Sequence, residues 1–326
     1  VDRHRSTLAS FHVHYVLSRL QSYVGARLQT MPPLQPQREY FYEIDLYGRL
    51  WHEGSELTDE EFLRFFFRHL RPNTTGQHPD YPYVVLCAGE RNYVRCADTP
   101  IVFQRYADGQ LLYAGGLAVA FVPELLRFSA EGILYHAAPV GEWGRLAPAA
   151  LLELARWLEP WGPYYSLHLP ELRFPVVIEP LEPAEEHVLL RPHPEKACIA
   201  CGGANPQGMG LSFLYNRAAQ SISTWVRGHP TWQGKPGVLH GGIIALLLDE
   251  TMGKLLSAMG MPAWTRRLRL HYRVPVPVGA RLHCTAHVLR AAPPRFLLKA
   301  LLQEEQTQRC YAEALGEFVS HSNPNA

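Results

Sequence analysis

The fold and the chemistry of this chain both turn on VLHGGIIALLLDETMG, Val238 to Gly253. Residues 241–248 are all apolar or glycine, which suits a protein core, yet a histidine precedes them and two adjacent acids, Asp249 and Glu250, follow. The run reads as one long apolar helix beginning at Gly241 or Gly242. Such a terminus presents unpaired backbone N–H groups and the positive end of the helix dipole. A missing Cβ lets a ligand oxygen approach that backbone, as an oxyanion hole requires. His240, just outside, can hydrogen-bond the loop or the ligand. A glycine-rich start that merely packs tightly, with His240 as a core histidine, satisfies the same letters. Asp249 shifts the balance, because a carboxylate inside an apolar helix costs several kcal/mol unless it is solvated, paired or used. Lys254 stands four residues after Glu250 and offers it an ion pair. Asp249 is then the candidate general base or nucleophile.

Working outward, GLSFLYN and SISTWVRG precede this helix as strands. TRRLRLHYRV, ARLHCTAHVLR, RFLLKALLQEE and CYAEALGEFVS follow it. One long helix among antiparallel strands of similar length predicts a sheet wrapped around that helix.

The quoted stretch resembles the signature of hotdog-fold acyl-CoA thioesterases of the phenylacetate-degradation type, including their mitochondrial members. CIACGGANPQGMGLSF upstream resembles the leading segment of such proteins, and TRRLRLHYRVPVPVG downstream resembles their third strand. The resemblance spans about residues 196–322. It implies a catalytic acid at Asp249, an oxyanion donor at Gly241 and a water-positioning hydroxyl at Thr265, with His240 and Gly242 completing the motif. Many relatives have an asparagine shortly before the histidine; here Gln233 is the nearest amide. The third strand is unusually basic, and Arg267, Arg269 and Arg273 are candidates for the phosphates of coenzyme A, or for another protein. The implied substrate is acyl-CoA and the implied assembly a homodimer through the hotdog domain. Coenzyme A enters only as part of the substrate, so no cofactor is expected.

The chain ahead of this region reads differently. REYFYEIDLYGRLWHEG alternates around Tyr47-Gly48 as a hairpin, and TDEEFLRFFFRHL is a helix in which Thr58 and Glu61 have capping-box spacing. Short apolar runs from Tyr81 to His136 suggest further strands, and APAALLELARWL is a second helix. Residues 38 to about 165 resemble an uncharacterised, largely eukaryotic family associated with mitochondria, carried by REYFYEIDLYGRL, FLRFFFRHLRPN and CAGERNYVRCADTPIVF. Arg91, Asn92, Arg95 and Asp98 form either a site or a hydrogen-bonded structural loop. The expected class is α+β, with a basic helix and proline-broken linker over 1–37, an α+β domain over 38–168, a Pro/Glu-rich linker over 169–195 and the hotdog domain over 196–326.

The 326 residues suffice for about two domains. A net charge of +1 argues against nucleic-acid binding, which needs a strong basic field. Apolar runs stop near eight residues, far short of the roughly 20 a spanning helix needs, so no transmembrane segment is expected. Six scattered cysteines fit a reducing compartment. Cys198 and Cys201, with His193 upstream, fall short of a closed four-ligand zinc site and are expected to be a pair of thiols in a turn, with no metal. The chain begins at Val1, as a processed form or an incomplete chain would. Residues 1–30 carry four arginines, one aspartate and no glutamate, with Leu17, Leu20, Val24 and Leu28 at helical spacing. That pattern fits an organelle transit segment, and hence the mitochondrial matrix, or a helix that docks on a partner. The rival to an enzyme is a non-catalytic hotdog subunit of a larger mitochondrial complex, built through the N-terminal helix and domain.

Overall fold

The computed structural model describes residues 38–320; the expected basic helix and linker over 1–37 lie outside the described residues. The chain divides into two compact units between Trp157 and Leu158.

The first unit begins with β1 (Glu39–Ile44), β2 (Leu50–His52) and β3 (Ser55–Leu57). The β1–β2 hairpin expected around Tyr47-Gly48 is present, and its turn is held by Asp45 Oδ1, which accepts from the Tyr47 and Arg49 N–H groups at 2.9 and 3.0 Å. Helix α1 (Glu60–His69) follows. Its cap is Asp59, whose side chain accepts from the Phe62 N–H at 2.7 Å, rather than the expected Thr58 with Glu61. Both are cap-forming residues; the chain turns one residue later, which brings Phe62, Phe66 and Phe67 to the buried face. Strands β4 (Arg71–Pro72), β5 (Tyr83–Cys87) and β6 (Glu90–Cys96) complete a six-stranded sheet in the order β3-β2-β1-β6-β5-β4, parallel only at β1–β6. Beyond it lie β7 (Val102–Phe103), β8 (Arg105–Ala107), β9 (Gln110–Tyr113), β10 (Leu117–Ala120), β11 (Leu126–Phe128), β12 (Leu134–Ala137), β13 (Trp143–Leu146) and helix α2 (Pro148–Ala155).

The second unit opens with an antiparallel trio, β14 (Leu158–Trp161), β15 (Tyr164–Leu167) and β16 (Val176–Pro180). Next come β17 (His187–Leu190), β18 (Phe213–Asn216), β19 (Ser221–Arg227), helix α3 (Gly241–Ala258), β20 (Trp264–Tyr272), β21 (Arg281–Ala292), β22 (Arg295–Glu304) and β23 (Cys310–Val319). Seven of these strands form one antiparallel sheet in the order β17-β18-β19-β21-β22-β23-β20. It wraps α3, as the hotdog expectation requires. Alternate residues of each strand face the helix: Leu282, Cys284 and Ala286 on β21, and Phe296, Leu298, Ala300 and Leu302 on β22. They meet Ile244, Leu247, Leu248, Met252, Leu255 and Leu256 of α3, all buried. Each such large side chain contributes about 1.5–3 kcal/mol by leaving water, so α3 is held by its packing rather than by its exposed turns.

The segment expected to be a linker, residues 169–195, is folded and belongs to this unit. It carries β16, whose Val177 and Ile178 are buried, and β17, which pairs with β18 along its whole length. Most of the prolines and acids sit outside those short strands, so composition averaged over the segment hid two runs of apolar residues.

Candidate active site

Helix α3 places the motif residues along one rigid rod. His240 is the N-cap: its Nδ1 accepts from the Gly242 N–H at 2.9 Å. An accepting Nδ1 puts the ring proton on Nε2, so the exposed edge of His240 is a donor. Gly242 fits closely here, since a Cβ would sit 3.0 Å from that Nδ1 and the imidazole would have to shift. Gly241 is not demanded in the same way: a Cβ there would lie 3.5 Å from the Tyr272 hydroxyl oxygen, an ordinary contact. The Gly241 N–H, ahead of the first intrahelical bond, meets no acceptor among the described residues.

Two turns on, half-buried Asp249 meets β20. The Thr265 hydroxyl donates to Asp249 Oδ1 at 2.7 Å, joining the two residues the sequence had paired only by resemblance. The second carboxylate oxygen stays available. β20 is tied again to the start of α3 by the Tyr272 hydroxyl, which donates to the Gly241 carbonyl at 2.9 Å. Tyr272 had no assigned role in the sequence reading; its place in the strand pattern was visible, its contact was not.

Other expected residues are employed elsewhere. Gln233 Oε1 accepts from the Gly237 N–H at 2.8 Å and closes the loop before the helix. Along β20, Leu268 and Leu270 pack on the core while the alternate Arg267 and Arg269 are exposed, as is Arg273 just past the end of the strand. Arg267 pairs with Glu317 at 3.5 Å and Arg273 with Glu313. Arg269 has no carboxylate within ion-pair distance among the described residues. It lines a small cavity of about 260 Å³ with His271, Lys299 and Glu313. In the first unit Arg91, Asn92, Arg95 and Asp98 do not converge. The buried Asn92 amide donates to the Val85 carbonyl at 3.0 Å, Arg95 pairs with Glu43, and Asp98 holds Arg145 and the Tyr135 hydroxyl at 2.9 Å each. These are structural bonds.

Glu250 does not pair with Lys254 as expected. Adjacent helix residues point about 100° apart, so while Asp249 faces β20, Glu250 turns to the CIAC segment, with Oε2 at 4.0 Å from Cys198 Sγ. Burial is the main cause that pushes the Cys201 thiol up to about 12, and Glu250 adds to it. Deeper on α3, buried Thr251 donates to the Leu247 carbonyl at 2.6 Å and touches Cys284 Sγ at 3.3 Å.

A larger cavity, about 590 Å³, lies elsewhere in the second unit. Trp161, Phe174, Trp225 and Trp232 line it, and within it Ser166 Oγ and His168 Nε2 are 2.8 Å apart. His240, Gly241, Asp249 and Thr265 take no part in its lining.

With this geometry in place, the likeness to known proteins is specific. Residues 236–309 match the family described as the thioesterase superfamily, and residues 29–160 match a domain of unknown function, DUF4505. The acyl-coenzyme A thioesterase THEM5 of Mus musculus is 29% identical over 107 residues, 33% of this chain and 43% of that one. THEM4 of the same species is 25% identical over 115 residues, 35% of this chain and 50% of that one. This chain thus spans about half the length of the curated relatives it matches, or less. Among solved structures, the thioesterase superfamily protein RHA08564 has a TM-score of 0.36 and 22% identity over 38% of this chain and 60% of its own. The PaaI protein of the E. coli phenylacetic acid degradation operon has a TM-score of 0.30 and 17% identity over 31% and 76%. Asp249, Thr265 and the glycine-rich helix terminus accordingly lie within a thioesterase-superfamily domain, residues 236–309, carried on the same chain as a domain of unknown function.

Proposed function

We propose that the second unit hydrolyses acyl-CoA thioesters as a homodimer. The observation that carries this reading is the Thr265–Asp249 hydrogen bond at 2.7 Å, placed within the matched thioesterase region. A water donating one hydrogen to the free oxygen of Asp249 and the other to Thr265 Oγ1 has its lone pair directed at a thioester carbonyl. The Gly241 N–H and the helix dipole receive the charge that develops on the carbonyl oxygen. The C–O bond forms, the C–S bond breaks, and Asp249 passes the proton to the departing sulfur; the products are a carboxylic acid and the free thiol of coenzyme A. Direct attack by Asp249, giving an anhydride that water then opens, uses the same carboxylate.

Helix geometry supports the dimer. Gly241 and Asp249 are eight residues apart on the unbroken α3, which at 1.5 Å per residue separates them by about 12 Å. One thioester carbon cannot meet both. Antiparallel α3 helices about a two-fold axis bring the glycine terminus of one chain to the aspartate of the other. Among the described residues β20 stands last in the sheet and is largely exposed, which suits it to that contact. A matrix location rests on the basic, acid-poor residues 1–30.

The test is hydrolysis of short, medium and long acyl-CoA substrates by the wild-type chain and by Asp249→Asn. Turnover is expected with at least one substrate and a loss of at least ~100-fold in the variant, with acyl-CoA binding retained. Near wild-type turnover in a folded Asp249→Asn removes the assignment.

A further inference from the structure

The CIAC turn is built more tightly than a surface loop needs. The Gly202 N–H donates to the Cys198 carbonyl at 3.0 Å, and the Gly203 and Ala204 N–H groups donate to the carbonyls of His193 and Lys196 at 2.8 and 3.0 Å. Its middle is pinned as well, by Met209 N–H to Ile199 O at 2.7 Å and Leu211 N–H to Ala200 O at 2.9 Å. A Cβ at Gly202 would come within 2.3 Å of both the Cys198 nitrogen and the Lys196 oxygen, so only glycine closes the turn. Both sulfurs are thereby directed to one side, at α3. There the Sγ atoms of Cys198 and Cys201 and a carboxylate oxygen of Glu250 all lie within 4.8 Å of one another.

That cluster is poorly served by its own members. Glu250 forms no ion pair among the described residues, and the Cys198 thiol that meets its carboxylate at 4.0 Å is a weak donor. Half-burial of a carboxylate among such partners is costly. Lys254 stands one turn further along α3.

We propose that Cys198, Cys201 and Glu250 bind a thiophilic divalent cation, zinc(II) in kind. Two thiolates and one carboxylate carry three negative charges against two on the metal, and the Lys254 ammonium offsets the remainder from just outside the shell. Zinc–sulfur distances of about 2.3 Å in a tetrahedron place the sulfurs about 3.8 Å apart, so the ligands need to close by no more than about 1 Å. Binding releases the two thiol protons, and water takes the fourth position. Glu250 points away from the Asp249 face, and the metal ties the 198–201 turn to the middle of α3, one residue from the candidate catalytic acid. His193, the third ligand that sequence spacing suggested, is not in the cluster. Glu250 takes that place, from a position 49 residues after Cys201, beyond any local motif.

The test uses the full chain, stripped with a chelator and titrated with cobalt(II), then zinc(II). Expected are a single equivalent of cobalt with the thiolate charge-transfer and visible bands of a tetrahedral site, its displacement by zinc, and proton release on binding. Glu250→Gln, half-exposed and compatible with the fold, is expected to weaken binding by at least ~10-fold. Cys201→Ser should abolish the charge-transfer band or reduce its intensity. Absence of a tetrahedral thiolate spectrum in the folded wild-type chain overturns the proposal. So does an unchanged affinity in folded Glu250→Gln together with an unchanged band in Cys201→Ser, since Cys87, Cys96, Cys284 or Cys310 would then be the ligands. The readout is metal content and spectrum, so it stands apart from whether the chain hydrolyses thioesters.

Discussion

A single side chain decides how the basic strand β20 is used. Arg267 and Arg273 are already balanced by Glu317 and Glu313, while Arg269 has no such partner among the described residues. An uncommitted guanidinium recognises phosphate well, so of the three arginines it is the one able to take a coenzyme A phosphate without breaking an existing pair. In the proposed reaction, Arg269→Gln should raise KM several-fold, roughly 0.5–1 kcal/mol for one exposed charge pair, and flatten the salt dependence of KM while kcat changes little. Steady-state kinetics at two ionic strengths checks this. An unchanged KM would assign this face of the strand to a protein partner instead.

At the scale of elements, the closest approach of the β14–β15 hairpin to Trp225 of the hotdog sheet is at one glycine. Gly162 has φ of +58°, and a Cβ there would penetrate the Trp225 ring, at 2.4 Å from Cζ2. Trp225 cannot simply yield, because it stacks on His283 with centroids 4.5 Å apart and meets Trp161 at 4.9 Å. Gly162→Ala therefore combines left-handed backbone strain with overpacking. It is expected to cost about 1–3 kcal/mol, read as a lower Tm in thermal denaturation, with increased fluorescence change at the tryptophan cluster. A Tm within error of wild type would mean the hairpin contributes nothing to the stability of the sheet beneath it.

For the whole molecule the central question is the shared site, and helix geometry supplies its test. Gly241 is the first residue of α3, where proline is tolerated, and His240 before it has φ −67° and ψ 136°, a conformation proline accepts in its predecessor. Gly241→Pro thus deletes the N–H with little disturbance of the helix. Gly241→Pro and Asp249→Ala should each be inactive alone. In a heterodimer one site bears both lesions and the other neither. Random exchange makes about half of the dimers mixed, so about a quarter of wild-type activity should return. No recovery after proven exchange between folded variants would mean that Gly241 and Asp249 do not serve one reaction.

Periodicity alone determined that a long apolar helix is enclosed by antiparallel strands, because alternation of period two and a run of apolar helix residues leave few other ways to bury the same surface. It also singled out Asp249, since a carboxylate in such a run is legible as an expense without any structure. Caps and boundaries were less legible: Asp59 displaced Thr58, and β16 and β17 emerged from a segment whose prolines and acids masked its short apolar runs. Tertiary structure alone decided which acid faces which neighbour. One residue of helix is a turn of about 100°, and that turn sends Asp249 to Thr265 and Glu250 to Cys198. The partners lie 16 and 52 residues away in sequence. Contacts over such separations are set by where the sheet curves back across the helix, which no local pattern encodes.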